Sequence, residues 1–451
     1  MHWFLLLLSV LLYALPFLCT YYCWWLIFVF PIPLLCIIKA ANLSFIHGYV
    51  WGVAAFLLHL SGGIYVIAHM AGDSWPIGVV LGVMMVLYQA LFSALFFWCA
   101  QLVVSYFELT SAVVRLCVWV AALMLFIIWT DWYSLWIFGI KEGYPLMHPL
   151  IPLAQHPQLL LLLPVVGKTC LTLLLLLVPV SFVVLLWFCN NAALFVCIIT
   201  CMPWILCWLN GVPNVCAPSW LSRIKTIPLI CFSDNSIAMM KIAARELCTI
   251  IAQDPQKTVV IMPESALNCS VIDQHCQLLH WWNEAHIGKA IHCIFGSFRR
   301  DGDSYYNTLY WVYDGALQHC FDKRHAMLVS ERLSWLNKFS GMQDIYFGQM
   351  PLTTISSNKR VSLRIDNDFE CVPYICSELF FNEYPDDDCL QAPIVVLVND
   401  TLFLSWCTEY INNLLLLIAR FKAIAWQRDI LYVSYARSLF INRQGLFFYD
   451  W

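Results

Sequence analysis

The chain has 451 residues and a net charge of −4; 61% of its residues are hydrophobic and only 12% are charged. These proportions, with a mean hydropathy of +0.74, are typical of an integral membrane protein. The slightly acidic balance provides no basic field, which argues against nucleic acid as a partner.

Seven apolar runs occupy the first 210 residues, and a bilayer core needs about 20 such residues per helix. They predict a membrane bundle of about seven helices over residues 1–210. The first run follows neither a basic segment nor a small-x-small motif, so we expect a membrane helix there and not a cleaved signal peptide. The runs cover residues 3–20, 22–38, 48–70, 77–105, 112–129, 159–187 and 190–209.

The charged residues between these runs predict an orientation by the positive-inside rule. With the N-terminus inside, Lys39 and Arg115 lie at cytoplasmic turns, whereas Asp73 and Asp131 lie outside. An odd number of spans then delivers the following polar domain to the outer face. The aromatic loop 130–158 suits the headgroup level, either as an interfacial belt or as a lid over a lipid-entry site.

The second half of the chain has a different pattern. Residues 211–226 contain glycine and proline and are predicted to be a hinge into a domain over 227–451. There, short apolar runs alternate with helical patterns, which indicates an α/β domain with packed sheets. Strands are predicted at 227–232, 258–262, 291–297, 307–313, 361–365, 372–376, 394–398 and 430–435, with helices near 235–253, 272–288 and 407–427.

The chain contains 21 cysteines, of which eleven lie at or before Cys216, mostly in apolar runs where a thiol is a small hydrophobic group. The others show neither a CxxC pair nor the Cys/His spacing of a zinc site. We therefore predict no metal ion, and no sequence signal indicates a nucleotide or haem cofactor. One or two disulfides in an exported domain remain open.

Three predicted strand ends carry reactive side chains. Glu264 follows a strand and a proline, Lys323 lies in a basic cluster, and Cys376 ends a later strand. Carboxyl edges of strands are where α/β folds place their ligands. A carboxylate, an ammonium group and a thiol brought together by a fold are the parts of a covalent acyl-transfer site.

These residues and their order resemble the carbon–nitrogen hydrolase (nitrilase) superfamily and, within it, the membrane-bound apolipoprotein N-acyltransferases. The likeness extends into the membrane half and so covers nearly the whole chain. It implies a membrane helical bundle followed by an α/β nitrilase-like domain, an αββα sandwich. The matching segments are His47–Gly52, Gly139–Pro145, Pro263-Glu264, Asp322-Lys323-Arg324-His325, Glu331, Ile375-Cys376-Ser377-Glu378, Asn399-Asp400, Ala419-Arg420 and Arg428.

The resemblance implies a catalytic triad of Glu264, Lys323 and Cys376, with Glu331, Glu378 and Asn307 as supporting residues. Cys376 would take an acyl chain from a phospholipid as a thioester. The amine of a diacylglyceryl-cysteine at a lipoprotein's N-terminus would then accept the chain as an amide. Glu264 would be the general base and Lys323 would stabilise the oxyanion. The implied location is the bacterial inner membrane, with the catalytic domain on the periplasmic face.

The chain departs from the family pattern around the triad. Residues 326–331 lack the family's Pro-Phe-Gly, Ser377 replaces a tyrosine, and no final membrane helix is expected before Trp451. This drift suits a divergent paralogue with another acceptor, such as a TraB-type conjugation protein, at least as well as the housekeeping enzyme. Two other interpretations remain open. One is an amidase whose thioester is hydrolysed by water, and the other is a non-enzymatic membrane component of a conjugation system.

Overall fold

The computed structural model describes residues 2–40, 43–70, 75–132, 147–211, 217–226, 258–266, 291–302, 304–314, 316–325, 362–365, 369–381, 392–401 and 409–448. They divide into two compact units. The first contains the described residues up to Gly211 together with Glu409–Ala425, and the second contains the others. Residues 409–425, which the sequence assigned to the 227–451 domain, therefore group with the helical unit.

The first unit is helical. Short 3-10 helices occur at Trp24–Phe28, Pro152–Gln155 and Pro157–Leu160. The α-helices are α1 (His2–Leu18), α2 (Thr20–Cys23), α3 (Pro31–Ala40), α4 (Phe45–Met70), α5 (Trp75–Tyr106), α6 (Ala112–Trp132), α7 (Leu163–Phe188), α8 (Asn191–Asn210) and α9 (Glu409–Trp426), whose last residue belongs to the second unit.

Six helical segments of the described chain are long and apolar enough to cross a membrane, namely Tyr21–Ile38 and helices α4 to α8. This is compatible with a multi-pass membrane protein. The first predicted span is α1, which has only 17 residues and so falls short of the roughly 20 that a bilayer core needs. The prediction of about seven long spans thus becomes six plus one shorter apolar helix.

Helices α4 and α5 pack closely because small residues line their contact. A Cβ added to Gly52 would lie 2.8 Å from the Cα of Ala90 and 2.0 Å from the Oγ of Ser93. The Ser93 hydroxyl in turn donates to the carbonyl of Gly48 at 2.8 Å. Lipid tails are as apolar as leucine, so close approach of small residues and interhelical hydrogen bonds stabilise such pairs.

The second unit contains two mixed sheets. The first has five strands in the order β1-β2-β3-β4-β5, with β1 to β3 parallel and the rest antiparallel. Its strands are β1 (Ile224–Thr226), β2 (Val259–Ile261), β3 (His292–Asp301), β4 (Ser304–Tyr313) and β5 (Ala316–Asp322).

The second sheet has six strands in the order β11-β10-β9-β8-β7-β6, with β7 to β9 parallel. Its strands are β6 (Leu363–Arg364), β7 (Glu370–Ile375), β8 (Ile394–Leu397), β9 (Ile430–Val433), β10 (Ser438–Ile441) and β11 (Phe447–Phe448). Helix α9 forms the crossover connection between β8 and β9, and parallel neighbours require such a connection.

The two sheets share one hydrophobic core. Alternate residues of the first sheet, such as Ile261 and Ile294, pack in the same cluster as Ile375, Leu397 and Val433 of the second. The sheet-on-sheet interior of the predicted sandwich is therefore present. The predicted strand 227–232 and the predicted helices 235–253 and 272–288 lie outside the described residues.

Four strands differ from the sequence prediction. β1 lies inside the predicted hinge 211–226, because three residues are too few to show a pattern. β5 begins with exposed positions, which hides its strand character. β10 and β11 were not predicted, and each pairs antiparallel with the strand before it.

Candidate active site

Glu264 lies just beyond the carboxyl end of β2 and is buried. Its backbone rests against Gly296 of β3, where an added Cβ would come within 2.6 Å of the Glu264 Cα. The next residue, Ser265, has a φ of +55°, a conformation uncommon outside glycine. The Glu264 carboxylate is directed back across the strand ends by three features: the preceding Pro263, the tight contact with Gly296 and the turn at Ser265.

Three donors converge on this carboxylate. Asn307 of β4 donates from Nδ2 to Oε1 at 2.7 Å, and the Nζ of Lys323 lies 3.2 Å from the same oxygen. The backbone N–H of Asn399, beyond β8, donates to Oε2 at 2.9 Å. Lys323 is also buried, so the pair is a buried, hydrogen-bonded ion pair. The structure thus brings Glu264, Lys323 and Asn307 together.

Lys323 reaches Glu264 because it immediately follows β5. Its backbone N–H donates to the carbonyl of Asn307 at 2.7 Å, which continues the pairing of β4 and β5 by one residue. Asn307 therefore contacts the site twice, through its side chain on Glu264 and through its backbone on Lys323.

Cys376 is the first residue after β7 and has a φ of +46°. A non-glycine residue in this left-handed region costs about 1–3 kcal/mol, and such strain recurs at functional sites. The side chain is partly exposed, whereas Ser377 and Glu378 are fully buried. β7 pairs in parallel with β8, so Cys376 and Asn399 leave neighbouring strands at the same edge of the sheet.

Glu378 ties the cysteine turn to the lysine segment. Its Oε2 accepts from the backbone N–H of Ile375 at 2.7 Å, and its Oε1 accepts from the N–H of Arg324 at 2.8 Å. The Ser377 hydroxyl adds a bond to the carbonyl of His325 at 2.9 Å. The two residues after Cys376 are thus bonded to the two residues after Lys323. Glu331, the remaining predicted residue, lies outside the described residues.

Sequence reasoning missed a second layer around the site. Asp400 is fully buried and accepts from the Ser434 hydroxyl at 2.7 Å and from the N–H of Tyr435 at 3.0 Å. The Tyr435 hydroxyl donates to the carbonyl of Ser265 at 2.8 Å. The turn after β9 thereby supports the residue after Glu264. The only available signal was the Asn399-Asp400 match, which carries no indication of this contact.

The pKa of Tyr432, on β9, is affected by burial and by nearby ionisable groups of the site. Burial raises the pKa of its phenol well above the usual range, and nearby Asp400, Cys376 and Glu264 raise it further. Within the described ranges, no group of three His, Cys, Asp or Glu side chains could hold a metal ion. The described residues place a buried carboxylate on a buried ammonium group, and Cys376 leaves β7 at the same edge of the second sheet as Asn399, whose N–H bonds that carboxylate.

Comparisons with known proteins found similar chains among solved structures. No family model and no curated sequence matches the chain. A carbon–nitrogen hydrolase from Helicobacter pylori is 11% identical, covering 50% of this chain and 82% of that one at a TM-score of 0.38. A branch 10 nitrilase-superfamily member from Saccharomyces cerevisiae is 14% identical, covering 50% and 83% at 0.35. A glutamine-dependent NAD⁺ synthetase from Acinetobacter baumannii is 14% identical, covering 49% and 41% at 0.36.

Proposed function

We propose that this protein is a membrane acyltransferase that moves a fatty acyl chain from a phospholipid, through a thioester on Cys376, to the N-terminal amine of a lipoprotein. The observation that carries the proposal is the buried Lys323–Glu264 pair, at 3.2 Å, which is bonded to Asn399 at the edge of the second sheet where Cys376 emerges in a strained turn. A base, a cation and a thiol at one edge suit acyl transfer.

In the first half-reaction, Glu264 takes the proton of the Cys376 thiol as the sulfur attacks the ester carbonyl. The carbonyl oxygen becomes negative in the tetrahedral intermediate, and the Lys323 ammonium stabilises it. When the intermediate collapses, the C–O bond of the ester breaks. Glu264 returns the proton to the leaving oxygen, so the products are a thioester and a lysophospholipid.

In the second half-reaction, the acceptor amine attacks the thioester carbonyl and loses a proton to Glu264. The C–S bond breaks, an amide forms, and the proton returns to the Cys376 sulfur. The enzyme is regenerated without any net change in its own protonation. Glu264 therefore shuttles one proton in each half-reaction, which requires the fixed position that Asn307 and Asn399 give it.

The proposed location is the bacterial inner membrane, with the second unit on the periplasmic side. This orientation requires α1 to cross the membrane as a short helix. Its side chains at Leu6, Val10 and Phe17 are buried, whereas Phe4 and Leu11 are exposed as apolar groups that lipid would cover. An alkaline phosphatase fused after Asn210 should be active, since that reporter works only outside the cytoplasm; an inactive fusion would contradict the orientation.

The reaction is tested by incubating purified protein with a phospholipid that carries an alkyne-labelled acyl chain, with and without a diacylglyceryl-cysteine peptide. We expect lysophospholipid and an N-acylated peptide from the wild type and from the Cys320→Ser control, and neither product from Cys376→Ala. Equal product from Cys376→Ala would overturn the thioester route.

The same experiment separates the alternatives. An amidase or esterase would release free fatty acid at the same rate with or without the peptide. A non-enzymatic component would release neither product while remaining folded. The acyltransferase proposal predicts that the peptide raises turnover and receives most of the label.

A further inference from the structure

A second charged cluster lies on the outer face of the five-stranded sheet, opposite the shared core. It consists of Arg299 on β3, Thr308 on β4 and Asp322 on β5. Successive side chains of a strand point to opposite faces. Leu309 and Phe321 belong to the core cluster, so their neighbours Thr308 and Asp322 point away from it.

The Asp322 carboxylate is held by three hydrogen bonds from two neighbouring strands. Arg299 donates from Nε to Oδ1 at 3.0 Å and from Nη2 to Oδ2 at 2.5 Å. The Thr308 hydroxyl donates to Oδ1 at 2.6 Å. The bonds to Asp322 raise the pKa of Arg299, whose guanidinium also lies 4.5 Å from the ring centre of Tyr306. A bidentate Arg–carboxylate pair fixes geometry as well as energy.

This cluster sits directly behind the proposed site. Thr308 is the chain neighbour of Asn307, and Asp322 is the chain neighbour of Lys323. In each dipeptide one side chain contacts Glu264 and the other belongs to the outer cluster. Thr308 and Asp322 are also cross-strand partners. The register that aligns the outer residues therefore aligns Asn307 and Lys323 on one oxygen of Glu264.

We infer that Asp322 is a positioning residue, which together with Arg299 and Thr308 locks the end of β5 so that Lys323 stays on Glu264 beside Cys376. The inference rests on the proposed function. Shifts of about 1 Å at a reacting group can cost about 100-fold in rate, so a loosened strand end should be visible in the chemistry.

The test compares Asp322→Asn with Asp301→Asn. Asp301 is a matched control because it is an exposed second partner of the same Arg299, at 3.4 Å. Two quantities are measured on the full-length protein, namely the rate of acyl-thioester formation and the pH profile of iodoacetamide alkylation of the Cys376 peptide. We expect Asp322→Asn to slow acylation about 10- to 100-fold and to move the alkylation profile to higher pH. Asp301→Asn should match the wild type in both.

If Asp322→Asn does not fold, a second variant still tests whether the bonds to Asp322 position Lys323. Thr308→Val removes one hydrogen bond to Asp322 at nearly constant shape, and it should move both quantities in the same direction by a smaller amount. Folded variants with wild-type acylation rate and alkylation profile would overturn the inference. A wild-type protein that forms no thioester would contradict the proposed function. The positioning of Lys323 could still be measured in that case, because alkylation of Cys376 needs no acyl donor.

Discussion

Each unit contains a lysine–carboxylate pair, and the two pairs have different surroundings. In the sheet unit, the buried Glu264 carboxylate receives the buried Lys323, Asn307 and the backbone of Asn399, so both of its oxygens are bonded. In the helical unit, the buried Asp131 at the end of α6 pairs with the partly exposed Lys168 near the start of α7.

The helical pair has a second lysine nearby. Lys422 of α9 is buried, and desolvation together with the charge of Lys168 lowers its pKa to about 7. Burial also lowers the pKa of His148 to about 3, and this ring accepts from the N–H of Leu150 and contacts the Thr172 hydroxyl. Burial thus lowers the pKa of two ionisable side chains in the helical cluster. We propose that the pair in the sheet unit is the reactive one, because its carboxylate is held by fixed donors, one of which lies at the sheet edge where Cys376 emerges.

Glu264→Gln should have the largest effect and tests whether the Glu264–Lys323 pair, unlike the Asp131–Lys168 pair, takes part in the chemistry. This variant keeps the shape of the side chain but removes the proton acceptor, and general bases contribute about 100- to 10,000-fold to rate. We expect thioester formation per folded molecule to fall by that factor, and the free energy of unfolding also to fall because the buried Lys323 loses its carboxylate partner. An unchanged rate of acylation would show that Glu264 is not the base.

Asp131→Asn should reduce stability alone. The variant removes the carboxylate near the buried Lys422 and the partly exposed Lys168, which should cost about 1–3 kcal/mol. Thermal unfolding in detergent should therefore show a clear loss of stability, whereas acylation per folded molecule stays at the wild-type rate. If acylation per folded molecule fell as far as in Glu264→Gln, the distinction between the two pairs would be wrong.

Gly296→Ala tests how tightly Glu264 is held. The new methyl group would come within 2.6 Å of the Glu264 Cα, and backbone atoms cannot move aside cheaply. We expect a loss of about 1–3 kcal/mol in stability and a lower acylation rate. Gly63→Ala is the matched control: apart from its chain neighbours and its own helix backbone, no described atom lies within 4 Å of the added Cβ, so this variant should lose neither stability nor activity.

The last prediction concerns the pH dependence of stability that Lys422 causes. The unfolded state keeps the lysine proton up to its ordinary pKa of 10.5, whereas the folded state releases it at about 7. The burial penalty is therefore full below the folded pKa and disappears as pH rises to the unfolded value. Relative to Lys422→Met, the wild type should gain at most about 1 kcal/mol in unfolding free energy per pH unit across that window. A constant difference between the two proteins would contradict a lowered pKa.

The sequence predicted the strands of the sheet unit better than the long-range contacts that hold the site residues in place. Seven predicted strands, from 258–262 to 430–435, correspond to observed strands because short apolar runs between polar loops are a local signal. Glu264 and Asn307 adjoin predicted strands, whereas Lys323 follows β5, which was not predicted, and was proposed from its basic cluster. The Arg299–Asp322 bonds and the Asn399 contact join residues that are distant in sequence, so no local pattern could indicate them.

In the helical unit, too, the sequence predicted the elements but not the contacts between them. Hydropathy located the spans but not the length of α1, which fell below that of a full span. The prediction of a helix at 407–427 matched α9 (Glu409–Trp426), whose residues up to Ala425 group with the first unit. Its contacts there include the hydrogen bond from Tyr410 to the carbonyl of His59, which periodicity does not indicate.

The central claim is that Cys376 carries the acyl chain. The most direct measurement is peptide mass spectrometry after incubation with a phospholipid of one defined acyl chain and no acceptor. We predict that the Cys376 peptide gains the mass of that chain, loses it on treatment with hydroxylamine, and stays unmodified in Glu264→Gln. An unmodified Cys376 peptide from wild-type protein that converts phospholipid to lysophospholipid would contradict the account.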